Sequence, residues 1–386
     1  MKNVRRGCGL LAVLMACGGD STVTPGTLTL VARGRSERGL SVHVALQKGG
    51  DTTLVAAQQI SITPADAATV QANGDVLLLK AGALTITGSA AGGSASLALT
   101  VAAPPAIAFD GLAVGNRDIY RMALDGGELA RLTTNAADDV RPSVNGDVVL
   151  FTSFRDGNGE LYTVSINGTG ERRRTQTSST ENQGSLSPDG RRVAYTSNVT
   201  GVSKVWLGAI DLSSTAEISA SARLSAVTAG DPSSPEAGPA WAPASDRIMY
   251  VAATPPSGGS GLFIANAGAG AVPALVAGSG SQGVEVEPSW NADGFRVAYA
   301  AVVAGATEVF VRDLRTSAVT QLTRNTGTSG QPAWLADGRI LFTSFLVSST
   351  LGVSVTLHWV DPLEPFVVHD IPTPGLSAEH AVPVRR

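Results

Sequence analysis

Residues able to do chemistry are sparse in this chain, and the most suggestive group is the run Asp156-Gly157-Asn158-Gly159-Glu160. Acidic and amide side chains alternating with glycine look like the opening of a calcium loop. An EF-hand loop needs glycine at its sixth position and a bidentate glutamate at its twelfth. Leu161 and Asn167 stand there instead, so the motif fails. The run is expected to be a polar turn in which Asp156 and Asn158 bond their own backbone. Four histidines occur, His43, His358, His369 and His380. The last three are spaced by 11 and 11, which matches no zinc pattern, so strand packing or exposed loops are expected for them. His43 interrupts an alternating stretch and reads as a strand residue. No G-x-S-x-G elbow, phosphate loop or dinucleotide fingerprint is found. Carboxylates are scattered, and no pair stands out for acid–base work. No catalytic residue, no metal site and no cofactor is therefore expected.

The N-terminus carries an address. Met1 to Arg6, MKNVRR, is positively charged, and the apolar GCGLLAVLMA that follows is too short to span a membrane as a helix. The end of that stretch, Leu14-Met15-Ala16-Cys17, resembles a bacterial lipobox. The resemblance implies a signal peptide over 1–16, cleaved before Cys17, with Cys17 as the lipid attachment residue. Residues 17–24 would then form a soft tether. Gly18 in place of Asp resembles lipoproteins sent on to an outer membrane, on its periplasmic face or at the cell surface. Cleavage would also remove Cys8, and a lipidated Cys17 cannot pair, so no intramolecular disulfide is expected.

The rest of the composition bounds the fold. Of 386 residues only 16% are charged and 5% aromatic, while Gly reaches 44 and Pro 20. Many short strands joined by tight turns have this profile, and helical proteins do not. Net charge is −4 with both signs interspersed. No basic stripe exists to neutralise a phosphate backbone, which excludes nucleic acid as a partner. The internal cluster Arg172-Arg173-Arg174 is expected to be a solvated strand edge.

Residues 25–103 alternate polar and apolar, as in Ser41-Val42-His43-Val44-Ala45-Leu46, with a turn at Asn73-Gly74-Asp75. Seven or so short strands in this length suit an antiparallel sandwich. The stretch ITPADAATVQANGDVLLLKAGALTITGSAAGGSASLALTV resembles the second half of a group 2 bacterial immunoglobulin-like domain, which implies a spacer module. Pro104-Pro105 then stiffens a linker.

From 106 to 386 the chain repeats. SLSPDGRRVAY, PAWAPASDRIMY, PSWNADGFRVAY and PAWLADGRILF share one shape, and PSVNGDVVLF is the same unit shortened. The closing aromatics Phe109, Phe151, Tyr195, Tyr250, Tyr299 and Phe342 are spaced by 42, 44, 55, 49 and 43 residues, one four-stranded propeller blade each. Proline is expected where a strand begins, tryptophan between blades, and Asp-Gly in the turn between first and second strands. The units resemble the TolB-type β-propeller repeat, P.WSPDG..IAF.S..DGN.EIY..D.DG.....LT. The first unit lacks its leading strand and the tail reads EHAVPVRR, so the C-terminus is expected to complete the first blade and close the ring.

The fold class expected is all-β, a small Ig-like β-sandwich followed by a six-bladed β-propeller closed by the C-terminal tail. The function expected is that of an envelope-anchored, non-catalytic binding or scaffold lipoprotein, monomeric, touching the membrane only through its lipid. It would present the propeller to a protein or glycan partner. The alternative is a carbohydrate-active hydrolase or lyase with its site in the funnel. The TolB resemblance implies partners such as peptidoglycan-associated lipoproteins, but TolB has a different N-terminal domain and its role is not carried over.

Overall fold

The structure, a computed structural model, describes residues 28–48, 54–56, 59–90, 93–113, 115–224, 234–254, 259–278, 286–324, 327–348 and 352–384. The expected signal peptide, Cys17 and the expected tether lie outside the described residues. The chain divides into two compact units, Met1–Pro104 and Pro105–Arg386.

The first unit holds eight strands: β1 (Leu28–Arg33), β2 (Ser41–Lys48), β3 (Leu54–Ala56), β4 (Gln59–Thr63), β5 (Ala68–Val70), β6 (Val76–Leu78), β7 (Gly82–Ala90) and β8 (Gly93–Val101). One antiparallel sheet runs β1-β2-β6-β5, with β3 also on β2, and the other runs β4-β7-β8. The alternation explains the packing, because successive side chains leave opposite faces of a strand. Val42, Val44 and Leu46 of β2 meet Leu84 and Ile86 of β7 in one buried core. Each such side chain contributes about 1.5–3 kcal/mol by leaving water. His43 points outward from β2, where its Nδ1 lies 2.8 Å from Asp75 of the turn after β5.

The second unit is built from six four-stranded antiparallel sheets. Blade 1 takes Ala106–Leu112, Arg117–Ala123 and Ala130–Arg131, and its innermost strand is the C-terminal Ser377–Pro383. Blade 2 runs outward through Asp139–Asn145, Val148–Ser153, Glu160–Ser165 and Arg172–Arg173. Blade 3 follows with Glu181–Leu186, Arg192–Ser197, Lys204–Ala209 and Ser219–Arg223, and blade 4 with Glu236–Trp241, Arg247–Thr254, Gly259–Asn266 and Ala274–Gly278. Blade 5 comprises Val286–Trp290, Arg296–Val303, Ala306–Asp313 and Val319–Gln321. Blade 6 comprises Thr328–Trp334, Ile340–Ser348, Gly352–Val360 and Val368–Ile371. Each inner strand touches the next, and that of blade 6 touches the C-terminal strand, so the ring closes around a central channel.

The repeat aromatics now have partners. Five of the six cross-strand pairs are Phe109–Tyr120, Phe151–Tyr162, Tyr195–Trp206, Tyr250–Phe263 and Tyr299–Phe310. In blade 6 the equivalent pair is Phe342–His358. Such pairs contribute roughly 0.2–1 kcal/mol each relative to an Ala–Ala pair. The tryptophans do pack between blades, as Trp241 sits with Ala194 and Val205 of blade 3, and Trp334 with Ala298 and Val309 of blade 5. An arginine of the preceding blade covers each ring, Arg192 over Trp241 at 4.8 Å, Arg247 over Trp290 at 5.3 Å and Arg296 over Trp334 at 5.3 Å. The Leu-Thr endings also gain a role. Thr133 and Thr323 accept backbone N–H bonds from Ile119 and Val309 of their own blades, at 3.0 and 2.9 Å.

Two expectations need correction. Proline does not sit where the inner strand begins; Pro142, Pro239, Pro288 and Pro332 lie mid-strand, inside a break in register. A bulge leaves one residue unpaired, so a residue without an N–H is tolerated there. The arginine cluster is not a solvated edge throughout. Arg172 and Arg173 form the edge strand of blade 2, but Arg174 is 1% exposed. Its guanidinium donates to the carbonyls of Asp211, Ser214 and Ala216 and to Thr163 Oγ1, tying the loop after the third strand of blade 3 to blade 2. Burial lowers its pKa, and neighbouring Arg172 adds to the effect.

Candidate functional site

The bulges of the inner strands build the site. In every blade the register shifts between the same two positions, and the residue there turns left-handed: Arg141 (φ 57), Gln183 (53), Gly238 (57), Glu287 (52), Gln331 (55) and His380 (51). Five of the six carry a side chain, and each of those costs about 1–3 kcal/mol of backbone strain. At Gly238 a Cβ would come within 3.4 Å of the Glu287 backbone, so glycine keeps that sector open. All six line a cavity of about 240 Å³ on the channel, beneath which the bulge prolines and Trp241, Trp290 and Trp334 form the wall.

The ring's polar groups are bonded to one another. Arg141 Nη1 donates to Glu287 Oε1 at 2.8 Å. Gln183 Oε1 accepts the Gly238 N–H at 2.9 Å. Gln331 Oε1 accepts the His380 backbone N–H at 3.1 Å, which turns its amide nitrogen to His380 Nε2 at 2.7 Å. An amide N–H can only donate, so Nε2 is the acceptor and the ring proton sits on Nδ1. Nδ1 in turn donates to Asp110 Oδ1 at 2.7 Å. Asp110 is fully buried and also takes bonds from Arg117 Nη1 at 2.9 Å and the Arg141 N–H at 3.0 Å. Burial alone would raise its pKa; His380, the Arg141 amide and Arg117 outweigh that and hold it below the usual carboxylate range.

A carboxylate–histidine pair of this kind orients a base in many enzymes. Here the outward nitrogen is already bonded to Gln331. The channel serines are also engaged. Ser143, Ser185 and Ser289 accept the N–H of Leu186, Trp241 and Trp334 at 3.3, 3.1 and 3.1 Å, stitching the inner strands of blades 2 to 3, 3 to 4 and 5 to 6. The geometry is that of a polar recognition surface.

The structure separates the sequence candidates. Asp156 and Asn158 do form a turn, with Gly157 at φ 92, but they do not bond their own backbone. Asn158 Nδ2 donates to the carbonyls of Thr177 and Ser179, in the loop leading to the next blade, and Tyr162 donates to Asp156 at 2.5 Å. Asn116 repeats the clamp in blade 1, on the carbonyls of Asn135 and Ala137. Their short amide reaches across the turn to a second loop because two successive connections lie side by side at this end of the blade. His358 stacks on Phe342 at 5.3 Å and His369 on Trp359 at 3.8 Å, while His380 stands in the channel. Among the described residues no three His, Cys, Asp or Glu side chains are grouped to hold a metal ion. Arg141, Gln183, Glu287, Gln331 and Asp110 went unnoticed in the sequence. The signal that could have found four of the ring positions is the residue before each repeat proline, at 141, 238, 287 and 331.

Residues 105–234 match the sequence profile of the TolB beta propeller domain. No curated protein matches the sequence. The chain is similar to TolB from Acinetobacter baumannii, at 14% identity and a TM-score of 0.59 over 94% of this chain and 83% of that one. It is similar to hydrazine synthase from Kuenenia stuttgartiensis at 13% identity and a TM-score of 0.57, covering 73% of this chain and 46% of that chain. A chain of a nidogen/laminin complex matches at 10% identity and a TM-score of 0.55, over 72% of this chain and 98% of that one. The propeller is TolB-like, and the same fold occurs in an enzyme and in a chain of a protein complex, so it selects neither class by itself.

Proposed function

We propose that the chain is a non-catalytic binding or scaffold lipoprotein of a bacterial envelope, anchored through Cys17, whose propeller channel receives a protein or glycan partner. The observation that carries this reading is the ring of six left-handed bulges, which turns charged and amide side chains onto one cavity. Strain repeated in five of the six blades needs a compensating role, and presenting donors and acceptors to a ligand supplies one. The hydrolase or lyase reading is less favoured, because Nε2 of His380, the atom a general base would use, is bonded to Gln331. The two packed sheets of the first unit support its reading as a bacterial Ig-like spacer. A monomer on the outer membrane, held by lipid alone, completes the proposal.

The soluble chain starting after Cys17 should capture a partner from envelope extract, and filling the cavity with Gln331→Trp should abolish capture while thermal melting shows a folded protein. Cleavage of an oligosaccharide without any capture would make the binding reading wrong. The anchor is tested separately. Cys17→Ser should move the protein from the membrane to the soluble fraction and remove the acyl mass; a membrane-bound serine variant excludes Cys17 as the anchor.

A further inference from the structure

The inner strands of blades 2 and 5 are three places apart in a ring of six, so Arg141 and Glu287 face each other across the channel. Their 2.8 Å ion pair therefore bridges the lumen. Both side chains remain reachable, at 30% and 23% exposure. The pair also leaves capacity unused. A guanidinium has five N–H donors, and among the described residues Arg141 uses its guanidinium only toward Glu287. Gln183, on the neighbouring blade, accepts through Oε1 but its amide nitrogen donates to no described residue. The ring thus holds a surplus of donors beside one replaceable carboxylate. The planar fork of arginine is matched by the two oxygens of a carboxylate, and a flanking amide adds a third donor. At about 240 Å³ the cavity is below the roughly 300–1,000 Å³ of whole-ligand pockets, so it suits one end of a ligand.

We propose that Arg141 and Gln183 form a carboxylate-recognition site in the channel, and that Glu287 is an internal stand-in which a ligand's terminal carboxylate displaces. This rests on the binding reading above and names the chemistry of what binds.

The fold supplies its own controls. Blades 3 and 6 carry glutamine at the equivalent left-handed position, so Arg141→Gln and Glu287→Gln place a tolerated residue type. The probes are glucuronate against glucose, and N-acetyl-Ala-Ala against its amide, titrated calorimetrically into the full chain. At least one carboxylate should bind with its neutral counterpart at least about tenfold weaker, Arg141→Gln should lose that preference, and Glu287→Gln should tighten binding by about tenfold. Whichever acid binds identifies a sugar or a peptide terminus as the source. Equal binding of neutral and acidic probes, full affinity in Arg141→Gln, weaker binding in Glu287→Gln, or no binding of either acid to wild type and Glu287→Gln each overturns the site. Partner capture that persists alongside such a result leaves the binding reading standing and removes only the carboxylate site.

Discussion

His358 takes the place that Tyr120, Tyr162, Trp206, Phe263 and Phe310 hold in the other blades, stacked on the aromatic of the strand beside it. It keeps the ring contact but adds a titratable group to a half-buried position. Burial pushes its pKa below the ordinary histidine value, against the pull of Asp370, whose carboxylate lies 2.9 Å from Nδ1. His369, stacked on Trp359, is lowered by burial in the same way. A lowered folded pKa means that the fold prefers the neutral ring. The stability is complete above the unfolded value of about 6.5 and is lost as pH falls through the folded values. The melting temperature should therefore drop between pH 7 and pH 5, and His358→Phe should flatten that drop while changing little at pH 7. Parallel curves for the two proteins would show that His358 does not titrate in that window. The spacing of the histidines matches no zinc pattern, and it could not separate the two packed in blade 6 from the one in the channel. That distinction depends on which strand lies innermost.

At the level of single elements, the inner strand is where local sequence and final geometry part company. A proline in a strand reads as a boundary, because it lacks the N–H a ladder needs. In this propeller the same lack is accommodated by a bulge, and the bulge re-aims the preceding side chain at the channel. Arg174 shows the complementary case. Three consecutive arginines look solvated, but the third is buried and reaches three carbonyls of a neighbouring blade's loop. Arg174→Ala should lower the unfolding free energy by about 2–4 kcal/mol, since it removes four hydrogen bonds made by a buried guanidinium and opens a void. Urea unfolding with an unchanged m-value checks this. A loss under about 0.5 kcal/mol would mean that water replaces the guanidinium.

On the scale of the whole propeller, closure decides whether the blades form a unit. Ser377–Pro383 pairs along Ala106–Leu112, and Glu379 and His380 reach Arg117 and Asp110 of the same blade. Adjacent blades bury each other's faces, so removing one inner strand exposes two interfaces and the channel lining. Deleting residues 378–386 should leave no soluble, cooperatively melting protein. A truncated chain that melts like the parent would show that the ring does not depend on its tail.

The repeat period, the aromatic that closes each unit, the inter-blade tryptophans and the need for a closing strand were all legible in the sequence. They depend on side-chain alternation and on contacts between neighbours that recur at fixed spacing. What only the tertiary structure decided is the channel. Arg141 and Glu287 are 146 positions apart, and His380 and Asp110 are 270 apart. Nothing local relates them. Their meeting follows from a ring that brings every sixth of the chain to one axis, and from a backbone twist that the pattern of residue types does not express.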